Sequence, residues 1–337
     1  VVANLSEIAN MLYSVFKVCF ENSKIIVFIV YIASGKYQRI HLFKQGKVAS
    51  QLEIKGNIMA NSDFPTGTLM AGKRGLIMGV ANKNSIAWAI AQQLAAQGAE
   101  LAFTYQGDNL LRRVKPLAES VGSDTLLDCD VTNDAQMDAA FASLKDKWGE
   151  LDFLVHAIAF AGKDQLAGSF IDNTTRDGFK SALDISAYSF VDAGRRASQM
   201  MQDGGAMVTL TYLGSERVIP NYNVMGVAKA ALEASTRYMA ADLGPRGIRV
   251  NAISAGPIKT LAAAGIGSGR HMFRFNKAAS AMQDNTDSKG VAGAALYLLS
   301  DLGLSCTGET HHVDGGFHAI GMPQEEALNE SLGIETR

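Results

Sequence analysis

From Lys73 onward, short apolar runs rich in β-formers alternate with longer alanine-rich stretches, and this alternation constrains the fold more than anything else in the chain. Seven runs read as strands: Gly75–Val80, Glu100–Tyr105, Thr125–Asp130, Asp152–Ile158, Ala206–Leu210, Ile248–Ser254 and Thr310–Val313. Between them lie helical stretches such as Ile86–Gln97, closed by Gly98 in the C-cap role, and Val224–Leu243, closed by Gly244-Pro245. Such strands require cover on both sides, so the expected fold is α/β: a doubly wound parallel sheet of about seven strands with helices on both faces, in a single domain. Ligands bind beyond the carboxyl ends of the strands in sheets of this kind, which directs attention to the loops that follow each strand.

The first 58 or so residues have a different texture. Their apolar run, Ile25 to Ala33, has nine residues, against the roughly 20 needed to span a membrane as a helix. Lys17 and Lys24 before it and Ala33-Ser34-Gly35 after it loosely imitate a secretory signal, but Glu21 sits in the flank. A transit peptide would be poor in acids, whereas Glu7, Glu21 and Glu53 stand here. Val1 opens the chain, and Met59 and Met70 stand just ahead of the first clear strand. Residues 1–58 are therefore expected to be an extension outside the fold, either a mis-assigned upstream region or a targeting segment. Residues 59–322 then form the ligand-binding domain and 323–337 a polar tail.

With 31 Lys+Arg against 33 Asp+Glu and a net charge of -2, the chain has no general basic field for gripping nucleic acid or an anionic membrane, and neither is expected as a partner. Cys19, Cys129 and Cys306 are far apart and supply neither a disulfide framework nor a zinc site, which suits a reducing compartment, the cytoplasm. His311 and His312 would point to opposite faces of a strand, no His-Glu-x-x-His accompanies them, and no metal is expected. Gly-x-Ser-x-Gly and P-loop patterns are absent as well.

The first strand runs into Gly79-Val80-Ala81-Asn82-Lys83-Asn84-Ser85-Ile86-Ala87, where small residues let the backbone approach a diphosphate and Ser85 suits the helix N-cap. This is not Gly-x-Gly-x-x-Gly, so the turn by itself reads equally as a dinucleotide site or a capped loop. The second strand ends at Tyr105-Gln106, with Gln106 where many NAD-binding folds place an acid and NADP-binding ones a nearby arginine. Asp130-Val131 could meet an adenine edge, or could simply precede a helix capped by Thr132 or Asn133. His156, at the end of the fourth strand, reads as a packing residue.

Tyr212, Tyr222 and Lys229 follow the fifth strand. Tyr222 and Lys229 are seven residues apart, close to two helical turns, so if both are helical they share a face. A tyrosine hydroxyl can hydrogen-bond a developing oxyanion, and a neighbouring ammonium strengthens that donation. The competing reading is a core-edge tyrosine and a solvated lysine.

Several motifs, taken in order, carry a family resemblance that bears on that choice. They are Gly79-x5-Ser85-x-Ala87, Tyr105-Gln106, Cys129-Asp130-Val131, His156-Ala157-Ile158-Ala159, Tyr212-Leu213-Gly214, Asn221-Tyr222-Asn223-Val224-Met225-Gly226 with Lys229, Gly256-Pro257-Ile258-Lys259-Thr260-Leu261-Ala262, and Val313-Asp314-Gly315-Gly316. Together, from about Lys73 to Met322, they resemble the short-chain dehydrogenase/reductase superfamily with its Rossmann-like fold, and within it the bacterial-type NADH-dependent enoyl-acyl-carrier-protein reductases. Carbonyl reductases of the superfamily carry Tyr-x3-Lys and a serine thirteen residues before the tyrosine; here Gly226 and Thr209 hold those places.

The resemblance implies reduction of the trans-2 double bond of an enoyl thioester carried on acyl carrier protein, in fatty-acid elongation, by a homotetramer. It gives Tyr222 the oxyanion-donor role, Lys229 the nicotinamide ribose and Tyr212 the acyl site together with Ala161. It places the dinucleotide on Gly79, Ser85, Ile86, Gln106, Asp130, Val131, Ala159, Lys229 and Ile258, with Gln106 favouring NADH. Pro257–Ala281 becomes a substrate-closing loop whose Arg270, Arg274 and Lys277 either receive an acidic carrier or form a solvated face. The chain departs from the family at Ala281–Asp287, where a Pro-Leu-x-Arg-like segment is usual, and at Gly194–Met201, which is unusually charged. The rival readings are a short-chain carbonyl reductase and a non-catalytic NAD(P) sensor.

Overall fold

In the computed structural model the described residues are 64–260, 269–325, 327 and 329, together with strands at 15–18, 27–34, 37–44 and 47–54. The chain divides into two compact units, residues 1–63 and 64–337. In the first, β1 (Val15–Val18), β2 (Val27–Ser34), β3 (Tyr37–Lys44) and β4 (Lys47–Ile54) pair antiparallel in that order. The apolar run noted above falls largely in β2.

The second unit holds β5 (Arg74–Met78), β6 (Glu100–Tyr105), β7 (Thr125–Asp128), β8 (Phe153–His156), β9 (Gly205–Thr211), β10 (Ile248–Ala255) and β11 (Thr310–Val313). They form one parallel sheet in the order β7-β6-β5-β8-β9-β10-β11, the doubly wound arrangement expected, with Met78 opposite His156 and His156 opposite Thr209. Winding reverses between β5 and β8, and sheets of this kind bind ligands at such a reversal. β5 and β8 each end two residues earlier than the sequence suggested, and the cause is Gly79. Its φ of +101° leaves the extended region, and a Cβ there would stand 2.2 Å from the Ala157 carbonyl oxygen, so only glycine lets the two strand ends approach.

The helices are α1 (Ile86–Ala96), α2 (Gly107–Ser120), α3 (Asp134–Trp148), α4 (Phe170–Asn173), α5 (Arg176–Leu183), α6 (Ser189–Ser198), α7 (Asn223–Leu243), α8 (Gly269–Ala279) and α9 (Ser288–Leu299). Alternate strand residues face opposite layers. Ile77, Phe103, Val155, Val208 and Ile253 pack with Ile90 and Leu94 of α1 and Leu298 of α9. Leu76, Met78, Leu154, Met207 and Val250 pack with Leu144 of α3, Phe190 of α6 and Leu232 of α7. Each fully buried side chain of this kind stabilises the fold by about 1.5–3 kcal/mol before entropy is counted. α1 ends as read, with Gly98 at φ +92°. α7 instead passes through a short 3-10 turn at Gly244–Arg246 and reverses at left-handed Gly247.

The two departures find partners. Arg196 is buried and pairs with the Asp192 carboxylate and with Asp138 at 2.8 Å, so the charges of α6 are matched rather than stranded. In the 281–287 segment, the Met282 amide donates to Gly315 O at 3.0 Å, Thr286 Oγ1 donates to Val313 O at 3.3 Å, and Asp287 caps α9. Much of the long segment expected to be a loop is helix α8, along which Arg274 and Lys277 are exposed. Residues 261–268 and the Arg270 side chain lie outside the described residues, as does most of the tail.

Candidate active site

Three groups of loops follow the carboxyl ends of strands on either side of the reversal point. In the first, Ser85 occupies the N-cap position of α1, but its hydroxyl accepts from the amides of Ala81 (3.0 Å) and Asn82 (3.1 Å). It therefore shapes the turn instead of capping the helix, contrary to the sequence reading, and α1 begins without a side-chain cap. A helix start left uncapped in this way suits an anion such as a diphosphate. Ile86 packs into the core beneath.

In the second, the Gln106 amide donates to Asp130 Oδ2 at 2.7 Å, joining the ends of β6 and β7. The Asp130 carboxyl is held below the usual carboxylate range, chiefly by the Thr132 amide and also by the Thr132 hydroxyl and Gln106. Asn133, not Thr132, caps α3. Val131 packs against the core, Ala159 is exposed beyond β8, and Ile258 is half-buried beyond β10.

The third is the end of β9. Tyr212 follows directly, and Tyr222 stands at the N-cap of α7 with φ −97° and ψ −29°, just outside the helix rather than within it. Lys229 lies two turns in, and its ammonium donates to Leu210 O at 2.7 Å. The two tyrosine rings meet edge-on, with centroids 5.1 Å apart. Asn221 and Asn223 take positive φ values of 61° and 39°, which asparagine tolerates better than most residues. Both bond to the Gly168 backbone at 3.3 Å and so pin the turn bearing Tyr222. Gly214 lies against that ring, where a Cβ would come within 2.3 Å of it. Ala161 packs against the cluster containing Tyr222.

Burial lifts the Tyr222 phenol well above its usual range, and burial followed by Asp314 pushes Tyr212 up to about 12. Both are hydroxyl donors at neutral pH. Burial lowers Lys229 to about 8, and nearby Glu233 opposes that shift. A neutral hydroxyl donor is suited to stabilising negative charge that develops on an oxygen, and a cation in the same site adds to that. His156 is buried between Thr209 Oγ1 (3.2 Å) and Ser189 Oγ (2.8 Å), and burial, then Lys229, lowers it to about 3. Its contribution to stability is therefore complete above the ordinary value of 6.5 and is lost as pH falls toward about 3. The expected slope is about 1.4 kcal/mol per pH unit for one proton. Urea unfolding between about pH 6 and 4 should show that one-proton slope in the parent and lack it in His156→Gln; equal slopes would show a charged imidazole in the folded state.

A family model described as "Enoyl-(Acyl carrier protein) reductase" matches residues 79–318. The chain belongs to that family. It is 57% identical over 264 residues, 78% of this chain and 97% of the relative, to an enoyl-[acyl-carrier-protein] reductase [NADH] of Rhizobium meliloti. It is 51% identical over 257 residues to the Escherichia coli enoyl-[acyl-carrier-protein] reductase [NADH], covering 76% of this chain and 98% of that one. The crystal structure of the Anaplasma phagocytophilum reductase in complex with NAD aligns with a TM-score of 0.75 at 50% identity, over 77% of this chain and 99% of that one.

Against this family background, three features around the candidate site were not read from the sequence. Glu233 follows Lys229 by four residues, a spacing that could have drawn attention to it, and it is buried. The bonds from Asn221 and Asn223 to Gly168 left no local signal, because Gly168 is more than fifty residues away. Ser189 as a partner of His156 was equally silent. Among the described residues, no group of three or more His, Cys, Asp or Glu could hold a metal, and no helix is long and apolar enough to cross a membrane.

Proposed function

We infer that this chain reduces the trans-2 double bond of enoyl-acyl-carrier-protein thioesters with NADH, in fatty-acid elongation, with Tyr222, Lys229 and Tyr212 as its catalytic residues. The observation that supports these roles best is the convergence of a buried, neutral Tyr222, a buried Lys229 and an edge-on Tyr212 at the end of β9.

The dinucleotide fits the residues present. The uncapped start of α1 and Gly79 would accommodate a diphosphate, Ile86, Ala159 and Ile258 offer apolar contacts, Gln106 would serve the adenosine ribose, and Asp130 and Val131 would serve the adenine edge. Gln106, in place of a basic residue, offers no cation to a 2′-phosphate, which favours NADH over NADPH. NADH when bound supplies the hydride to the β-carbon of the enoyl chain. Tyr222 donates its hydroxyl hydrogen bond to the thioester carbonyl oxygen as negative charge develops there, and Lys229 adds its charge and holds ribose hydroxyls. Tyr212 and Ala161 line the acyl site and orient the chain. Protonation at the α-carbon completes the reduction.

The carbonyl-reductase alternative fails on Thr209. At the place of that group's serine, Thr209 is fully buried in β9 and its hydroxyl donates to His156 O at 3.1 Å, so the hydroxyl at that position is turned to the protein rather than to a carbonyl substrate. A sensor would need only the cofactor half of the site. A cytoplasmic location suits the free thiols Cys129 and Cys306. Assembly as a homotetramer follows the family resemblance and is read by light scattering. The decisive assay mixes the full chain with NADH and a trans-2-enoyl thioester, with NADPH and an acetoacetyl thioester in parallel. NADH consumption with the enoyl substrate alone is expected; consumption with acetoacetyl instead would overturn the assignment.

A further inference from the structure

We propose that Glu233 is a positioning residue for this reaction, its buried carboxylate fastening the backbone on both sides of Tyr212 to the helix that carries Lys229. The inference rests on the reductase reading above.

Glu233 lies one helical turn beyond Lys229 and is 7% exposed. Its Oε1 accepts from the Thr211 hydroxyl at 2.5 Å and from the Ser215 hydroxyl at 2.5 Å. Lys229 meanwhile holds Leu210 O. Successive turns of α7 thus grip residues 210, 211 and 215, and Tyr212 is the side chain held between them. A buried carboxylate is costly unless it is bonded, and here a single oxygen satisfies two hydroxyls from the strand end and the turn after it. Without that acceptor the Ser215 hydroxyl is left with Tyr212 O, 3.0 Å away, and Thr211 loses its partner. The 210–215 segment is then free to shift against α7, and the edge-on contact of Tyr212 with Tyr222 shifts with it.

The carboxylate also acts on Lys229. The charged or titratable groups acting on the ammonium are Glu233 on its own helix and His156 from β8. Of these, Glu233 favours the protonated lysine, against the burial that disfavours it.

The test uses Glu233→Ala and Glu233→Gln in the full chain, assayed with NADH and a trans-2-enoyl thioester across pH. Glutamine keeps an oxygen acceptor and removes the charge; alanine removes both. Glu233→Ala should lower kcat about 10- to 100-fold, the scale of a sub-ångström to ångström misplacement. Glu233→Gln should recover part of that loss, and its kcat/KM should fall at lower pH on the alkaline side than the parent's does, because Lys229 then gives up its proton more readily. Equal losses in the two variants with an unmoved alkaline limb would overturn the proposal, as would unchanged kcat in both. If Glu233→Ala fails to fold, the alkaline limb of Glu233→Gln decides alone. A parent chain inert toward the enoyl thioester would sink the reductase reading and this role with it; an active parent with an unmoved Glu233→Gln sinks the role of Glu233 alone.

Discussion

Replacing Tyr222 by phenylalanine is expected to lower turnover by about two to three orders of magnitude while leaving NADH binding nearly intact, the scale of losing one oxyanion-directed hydrogen bond. The substitution removes a single oxygen and keeps the ring that packs against Tyr212, Gly214 and the Val224–Ala228 face of α7, so stability should change little. Because burial holds the phenol well above its usual range, the parent hydroxyl donates at any pH the enzyme meets. The loss in the phenylalanine variant should therefore be the same at acid and neutral pH. Stopped-flow rates for hydride transfer, beside fluorescence titration of NADH, separate the two effects, and a Tyr222→Phe enzyme turning over at the parental rate would end its assignment as oxyanion donor.

Lys229→Met should weaken both NADH binding and turnover, because one ammonium is asked to serve the ribose and the oxyanion together. Methionine keeps the volume of the buried stem, so the effect isolates the charge. Loss of hydrogen bonds to a charged group, worth about 1.5–3 kcal/mol, corresponds to a roughly 10- to 150-fold rise in the NADH Kd. Burial lowers Lys229 to about 8, so the free enzyme loses this cation as pH rises through that value. The parental kcat/KM should fall on that side, since this parameter reports the free enzyme, and the fall should be missing from Lys229→Met. A variant that binds NADH as the parent does would remove Lys229 from the ribose site.

The alternation of strand and helix was legible because each signal is local. Both layers of core are written into runs such as Leu76-Ile77-Met78, whose neighbouring residues supply opposite faces of the sheet. The triplet proposed as catalytic was legible only through motif order, since the seven-residue spacing of Tyr222 and Lys229 occurs by chance in many helices. Even then the spacing argument was partly misplaced: Tyr222 stands at the helix boundary, between two asparagines of positive φ, and Gly168 and Gly214 bring it to the site rather than helical periodicity. Ser85 shows the same limit, for its place at a helix start could be read from the sequence but the direction of its hydroxyl could not. The charged stretch at Gly194–Met201 looked out of place until the Asp138 carboxylate, nearly sixty residues upstream, was seen beside Arg196.

What the sequence determined by itself is the seven-stranded wound sheet and the family, and through the family the side chains proposed to react. These depend on periodicity and motif spacing, which need no knowledge of distant neighbours. Only the tertiary structure decided how those side chains are held and charged: the anchoring of the tyrosine turn on Gly168, the neutral His156 between two hydroxyls, and Glu233 beneath Lys229. Burial and partner set the protonation state of an ionisable group and the orientation of a polar one, and both are properties of the packed chain rather than of any segment within it.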